Sequence, residues 1–379
     1  MLRDSLSLVR RILPTLLHLA AAAALLGCAG DPAPNGGTGG HTSTTSSGGD
    51  GGSGQGGGDA GAPPATEILG VLDLPRTAAT QGLSGTVYDA STHTLLAIQD
   101  LAPRLVPFTL TADYQSVTPG EPIDLTGRPG SAWDGEALIR LGGEIVAVTV
   151  ETAPLLERFD AAGKYLGKIE VPALFAQQAS NNKGLESLTL SPSGAYLFTG
   201  NESALTTDGS AATKTAGSTI RLLRRDLEAS LDEQRAYRTD PLGAGTGGDM
   251  GVSDLVALSD TTLLVLERGF QSDLGNTVRL YAVDFAASGP GSADISATPS
   301  LDGGAPALPK TLVVDLGALP AGGVTHPGLQ PNPLLDNYEA LALGPELPDG
   351  RRVVLVTSDD NANPDQIPRI LVLAIRLPW

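Results

Sequence analysis

Five stretches of the chain repeat one pattern, and a repeat of this kind admits few folds. They are GLSGTVYDASTHTLLAIQD at 82–100, DGEALIRLGGEIVAVTVE at 134–151, KGLESLTLSPSGAYLFTGNE at 183–202, VSDLVALSDTTLLVLER at 252–268, and YEALALGPELPDGRRVVLVTSD at 338–359. Each starts from a turn and a polar or acidic residue. Each then alternates apolar residues, turns, runs apolar again and closes on an acidic residue. Alternation broken by Ser-Pro-Ser-Gly or Leu-Pro-Asp-Gly is the signature of a β-hairpin. The openings Ser84, Glu136, Glu186, Asp254 and Glu339 stand 52, 50, 68 and 85 residues apart.

Between the hairpins lie further strand-like runs, at 104–110, 155–159, 165–171, 219–223, 277–283 and 311–316. Two hairpin strands and two more per repeat make a β-propeller blade. The longer spacings are loop insertions, of which the Ser/Ala/Gly/Pro segment 286–309 is one. The runs 68–72 and 369–377 sit at opposite ends of the body and would complete one blade between them. The fold class expected is therefore all-β, a β-propeller of five marked repeats and five or six blades. Residues 284–330 leave room for a degenerate sixth. The competing architecture is a pair of β-sandwiches.

The N-terminal residues have a different composition. Arg3, Arg10 and Arg11 precede an apolar stretch over 12–26 that ends at Gly27-Cys28. That stretch is short for a membrane span and suits an export signal. Its end resembles a bacterial lipobox, which implies that Cys28, the only cysteine, is acylated. Leu26 departs from the small residue usual there. Ala29 after the cysteine favours the outer membrane. Residues 29–65 are rich in Gly, Ser, Thr and Pro, with 13 glycines between Gly36 and Gly61. Such a segment cannot repay the entropy of folding and reads as a disordered tether spanning about 30 Å. Residues 1–28 are thus expected to be a lipoprotein signal and 66–379 the folded body. The protein is placed at the outer membrane or cell surface, or in the periplasm or outside the cell if the anchor is absent.

Charge narrows the function. The 379 residues carry 24 Lys and Arg against 42 Asp and Glu, a formal net charge of −18. Nucleic acid is not an expected partner. Membrane contact would come through the acyl group alone, because anionic headgroups repel so acidic a body. One cysteine excludes an intramolecular disulfide framework and a Cys-cluster metal site. His93 and His326 are the only histidines in the body, and each reads as a surface residue of a turn or loop.

Propeller geometry turns the repeat into a site. The first strand of each blade lines the central channel and the second runs antiparallel to it. The start of one and the end of the other share a mouth. Glu136, Glu186, Asp254 and Glu339 open first strands; Asp100, Glu151, Glu202, Glu267 and Asp359 close second strands. Like charges at 4 Å repel by about 1 kcal/mol per pair even in water, so such a ring needs counter-cations, raised pKa values, or both. Arg268, Lys183, Arg104 and Arg369 stand next to or near these positions. Ca²⁺, which takes six to eight hard oxygen ligands, is the other compensation. Asp100, Glu136, Glu151, Glu202, Asp254, Glu267, Asp359 and Asp360 are its candidate ligands. The run Asp359-Asp360-Asn361-Ala-Asn363-Pro-Asp365 supplies oxygens at alternate positions but is not an EF-hand loop. Acidic residues at blade corners can also simply cap turns.

At these residues the chain resembles the phytase-like family of bacterial exported proteins, known for esterase-like activity. The carrying motifs are GLSGTVYD at 82–89, NKGLESLTLSPSGAYLFTGNE at 182–202, SDLVALSDTTLLVLERGF at 253–270 and DNYEALALGPELPDGRRVVLVTSDDN at 336–361. The resemblance implies a propeller-like fold and hydrolysis of a phosphate or carboxylic ester, without naming a substrate. Other hydrolase chemistries find no support in the sequence. It has no GxSxG elbow, Walker A loop or Arg-His-Gly motif. Ser180-Asn-Asn-Lys183 matches Ser-x-x-Lys, a pattern common by chance.

The expectation is a metal-plus-carboxylate mechanism acting on a small anionic or ester substrate, in a monomer. Ca²⁺ would polarise the ester and a water. Glu186 or Glu339 would take the water's proton. Arg268 and Lys183 would hold the anionic group. The rival reading is a non-catalytic, calcium-stapled propeller that serves as a surface binding platform.

Overall fold

The computed structural model describes residues 65–378 apart from 150–153, 181 and 303. Cys28, the signal and tether up to residue 64, and Glu151 lie outside the described residues.

Alternating apolar residues produce strands almost throughout, and the strands sort into five sheets. The first strand, β1 (Thr66–Asp73), does not belong to the first blade. That blade is β2 (Leu83–Asp89), β3 (Thr94–Gln99), β4 (Arg104–Leu110) and the short β5 (Val117–Pro119), with β6 (Ile123–Asp124) also on β4. The second is β7 (Gly135–Leu141), β8 (Glu144–Thr149), β9 (Leu155–Asp160) and β10 (Tyr165–Ile169). A short helix, α1 (Ala173–Gln178), leads to the third blade. This is β11 (Leu185–Leu190), β12 (Tyr196–Asn201), β13 (Thr219–Asp226) and β14 (Leu231–Arg238). The fourth is β15 (Asp249–Ala257), β16 (Thr262–Gln271), β17 (Gly275–Asp284) and β18 (Lys310–Asp315). The fifth is β19 (Tyr338–Glu346), β20 (Arg352–Ser358) and β21 (Arg369–Ile375), completed by β1.

The molecule is thus a five-bladed propeller. Segment 284–330 holds β18 and a loop instead of a sixth blade. The two ends of the described body share the last blade, with Thr66 opposite Ile375 and Asp73 opposite Arg369. Fully buried Arg369 clamps that closure through Asp73, at 2.5 Å, and through the carbonyl of Pro333, at 2.7 Å. Its cation therefore serves ring closure and not the channel mouth. Arg104 likewise turns to Asp124, at 2.9 Å on the exposed side of its blade.

The first strands close a ring, in which β2 neighbours β7, then β11, β15 and β19, which returns to β2. Apolar packing follows this plan. Five principal hydrophobic clusters occupy the five gaps between blades. Between blades four and five, for example, Leu264, Leu266 and Leu280 meet Leu341, Val356 and Leu371. The core is a set of wedges, and each blade is buried on both faces. This explains the nearly unbroken apolar runs of β20 and β21.

Every first strand carries a bulge at the same level. The register skips one residue at Ser84, Glu136, Glu186, Ser253 and Glu339. A bulge sets two residues against one and re-aims a side chain. This five-fold irregularity fixes what faces the mouth.

Candidate active site

The mouth holds a polar cavity of about 220 Å³. Asp100, Asp134, Glu136, Glu186, Glu202, Glu339 and Asp359 line it, together with Lys183 and Arg268. Ser84, Asn182, Asn337 and Asn361 complete the wall. Seven carboxylates thus share a small space with two cations.

The bulges explain the arrangement. Three of the five bulged residues, Glu136, Glu186 and Glu339, are cavity carboxylates, and Ser84 is a fourth lining residue. Opposite them, the residue just after the partner of the strand entry is Asp100 in blade one, Glu202 in blade three and Asp359 in blade five. Their amides donate to Gly82, Gly184 and Asn337 carbonyls at 3.0, 2.9 and 3.0 Å. Gly82 is needed there: its φ is +66°, and a Cβ would stand 2.0 Å from Asp100 Oδ1.

Blade four departs from the expected pattern by one residue in both strands. Its bulged residue is Ser253, whose hydroxyl donates to the Tyr338 carbonyl at 3.1 Å. Asp254 therefore turns out of the cavity and is fully buried. It accepts the Leu255 amide at 2.7 Å and the Leu341 amide at 2.6 Å, which ties β15 to β19. Burial pushes its pKa well up against those two bonds. In β16, Glu267 lies opposite Val252, so the mouth position falls to the next residue, Arg268. Side chains alternate faces along a strand. Glu267 consequently points the other way, into a network between blades three and four. There it accepts from Lys310 at 2.5 Å, from the Asp240 amide at 2.8 Å and from the Tyr237 hydroxyl. Burial raises its pKa, opposed by Lys310.

The run 359–365 also divides. Asp359 lines the cavity. Asp360, fully buried, is not among the lining residues; its carboxylate faces Arg76 at 3.7 Å and the Gly82 amide at 3.4 Å. Asp254, Glu267 and Asp360 are thus corrections to the set expected at the mouth. His326 is a correction of another kind. Its side chain is buried, with Nε2 donating to Asp336 at 2.9 Å and Nδ1 accepting the Gly328 amide at 3.0 Å. His93 sits in its turn with φ +53° and Nδ1 3.1 Å from the Tyr88 hydroxyl.

Asp134 and Asn337 are cavity-lining positions that sequence reasoning missed. Both stand two residues before a bulge, so they are equivalents in different blades. The signal was present as acidic or amide residues at that spacing, in Asp134-Gly-Glu136 and Asn337-Tyr-Glu339. Asn337 donates to Glu339 at 2.8 Å, and Asp134 shares a side-chain hydrogen bond with Glu136.

Charge in the cavity is uneven. Lys183 contacts both oxygens of Glu202, at 2.9 and 2.7 Å, and Asp249 at 2.6 Å. Arg268 reaches Glu202 and Glu339, each at 3.4 Å. Burial works against both cations, but the surrounding carboxylates outweigh it and hold both pKa values above the ordinary range. The two cations hold Asp249 below the usual carboxylate range despite its burial. Asp100, Asp359, Asp134 and Glu339 go the other way. Burial, with Asp134 and Asp360 nearby, raises Asp100 to about 6. Burial, then Glu339 and Asp100, pushes Asp359 well up. Burial raises Asp134 too, against its bond with Glu136. Glu339 reaches about 7, because burial and the nearby Glu202 and Asp100 outweigh Arg268 and Asn337.

Such a set of hard oxygens suits Ca²⁺ in kind. Asp100 Oδ1 is buried without a hydrogen-bond partner, as an oxygen awaiting a cation would be. Among the described residues, however, no three acidic or histidine side chains converge closely enough to clasp one ion. A bound ion would require side chains to turn inward.

Solved structures with a similar outline include a Lactobacillus plantarum protein, at 14% identity and TM-score 0.35, covering 73% of this chain. This chain spans only 64% of that protein's length. Others are an endo-arabinase from Bacteroides thetaiotaomicron, at 10% identity and TM-score 0.42, covering 78% of this chain and 94% of that one, and an α-L-arabinofuranosidase from Podospora anserina, at 11% and 0.41, covering 82% and 96%. Likeness at this level speaks to no shared chemistry. Among curated proteins, no sequence matches the chain. Residues 78–362 match the phytase-like profile, described as esterase-like activity of phytase, over all five hairpin repeats. The chain belongs to the phytase-like family.

Proposed function

We propose that this protein is an exported hydrolase of phosphate or carboxylic esters that works at the acidic mouth of its propeller. The observation that carries the reading is Glu339, a half-buried carboxyl of the cavity wall raised to about 7 and 3.4 Å from a guanidinium. A group titrating near neutrality can take a proton from water and return it to a leaving group. Glu186 lines the same cavity and is the second candidate base. Arg268, with its planar fork, and Lys183 would hold an anionic group and stabilise charge in the transition state. Asp100, Asp134, Glu136 and Asp359 would hold Ca²⁺, with Glu202 bordering them. When bound, the ion would neutralise this arc and polarise the ester. Export with an acyl anchor on Cys28 belongs to the same reading and rests on residues 1–28. Among the described residues, no helix is long and apolar enough to cross a membrane.

The test is an assay of the full chain on phytate, p-nitrophenyl phosphate and short-chain p-nitrophenyl esters, in calcium and in EGTA. Hydrolysis that needs calcium and falls in Glu339→Gln supports the proposal. No hydrolysis above background in calcium would overturn it. The second reading, a binding platform stapled by charge, is favoured by one observation. Lys183 and Arg268 are both already engaged with Glu202.

A further inference from the structure

Beside the mouth lies a second and larger concavity, of about 480 Å³, between blades four and five. Arg268, Asn337 and Asn361 line both, so the two adjoin. Its character differs from that of the mouth. Side-chain amides dominate the wall, among them Asn276, Gln330, Asn363 and Gln366. Two exposed apolar side chains, Phe270 and Leu329, are 42% and 63% accessible. The volume is that of a small-ligand site.

Asn276 is the telling residue. It lines the groove and is 98% buried, yet neither its side-chain oxygen nor its nitrogen has a hydrogen-bond partner. A buried amide left unmade on both atoms is unusual and costly. Its backbone is held: Asn276 pairs with Phe270 across β16 and β17, and its amide donates to Gln330 Oε1 at 2.8 Å. The adjoining loop is pressed close. Gly275 has φ +86°, and a Cβ there would lie 2.4 Å from the Leu329 carbonyl. The groove is therefore a built surface.

We infer that this groove binds a neutral saccharide unit, the part of the substrate that does not react. An amide offers a donor and an acceptor side by side, as sugar hydroxyls do. The exposed Phe270 ring supplies a flat apolar face for the C–H side of a pyranose. An anion is disfavoured, because Asp249 and Asp365 line the groove and Arg268 stands only at its border with the mouth. A peptide cannot add here as an extra strand, because β16 and β17 are central strands paired on both sides. As a statement about substrate, the inference rests on the hydrolase reading; as a statement about binding, it does not.

The experiment is saturation-transfer NMR on the full chain with maltotriose, cellotriose and chitotriose, in EGTA so that the mouth chemistry is silent. At least one sugar should receive saturation, and Phe270→Ala and Asn276→Ala should each weaken its binding by tenfold or more. Leu312→Ser, at an exposed site outside the groove, should leave binding unchanged. Phe270→Ala removes an exposed ring and keeps the test valid if Asn276→Ala fails to fold. No transfer to any of the three sugars, or transfer unaffected by Phe270→Ala, would overturn the inference. Hydrolysis of p-nitrophenyl acetate and phosphate in calcium is measured on the same preparations. Sugar binding without hydrolysis would sink the hydrolase reading and leave the groove standing. Hydrolysis without sugar binding would do the reverse.

Discussion

Arg268 holds in the fourth blade the place that Glu202 holds in the third, and the two side chains meet at 3.4 Å. A repeat that would otherwise place a carboxylate there places a guanidinium instead. That one exchange gives the ring its own counter-ion. On the side formed by blades five, one and two, burial and neighbouring carboxylates act on Asp359 and Asp100, and burial raises Asp134 as well.

The pH dependence of stability follows from the raised acids of the mouth. Asp100 rises from an ordinary 3.8 to about 6, and Glu339 from 4.5 to about 7. Raised carboxyls stabilise the fold while protonated, fully below pH 4, and that stabilisation is lost as pH rises through 6 and 7. For Asp100 alone the loss is on the order of 3 kcal/mol. In EGTA, the melting temperature should fall between pH 4 and 8. Millimolar Ca²⁺ should restore it, with a larger effect at pH 8 than at pH 5, since the ion and the protons compete. A calcium-independent melting curve at pH 8 would remove the ion from the account.

Catalysis should depend on the mouth carboxyls and cations individually. Glu339→Gln and Glu186→Gln keep shape while removing basicity, and loss of a general base should lower turnover by about 10²-fold. Arg268→Lys keeps charge but loses the planar fork. It should weaken a phosphate ester more than a neutral ester, read as a rise in KM for p-nitrophenyl phosphate. Controls at Asp59 and Asp294 should be silent.

Asp254 and Glu267 should behave as structural residues. Asp254→Asn would set an amide donor against one of two backbone N–H groups. It should cost about 1–3 kcal/mol and lower the melting temperature by several degrees. Glu267→Gln should loosen the Lys310 network in the same manner. In both variants the shift caused by calcium should equal that of the wild type. A smaller shift in either would return that residue to the list of metal ligands.

Lipidation is tested at Cys28. Metabolic labelling with an alkynyl palmitate should mark the wild type and not Cys28→Ser, and the labelled protein should partition with the outer membrane. An unlabelled wild type would contradict the lipobox reading.

Much of the fold was legible because its signals are local. Alternation and turn residues mark the five hairpins, and the apolar runs near both ends foretold the shared last blade. The short edge strands β5 and β6 escaped, and so did β14 and α1. In β14, Leu231-Asp-Glu-Gln-Arg-Ala-Tyr-Arg238, charge masks the alternation, because ion pairs with β13 such as Arg225–Asp232 replace apolar contacts. The short α1 buries only Phe175, too little for a periodic pattern. At the site, Glu136, Glu186, Glu339, Asp100, Glu202 and Asp359 could be gathered from the repeat alone, with Lys183 and Arg268 as cations beside it. Asp134 and Asn337 could not, because their equivalence depends on counting back from a bulge.

By itself the sequence determined five acid-bearing hairpins, an all-β ring and an acidic mouth, since strand alternation and turn chemistry act over a few residues. Only the tertiary structure decided which face each side chain takes in blade four. Direction in a strand has a period of two, so one bulged residue exchanges Asp254 for Ser253 and Glu267 for Arg268. The tertiary structure also decided the raised carboxyls and the amide groove, because both depend on burial and on side chains brought together from different blades.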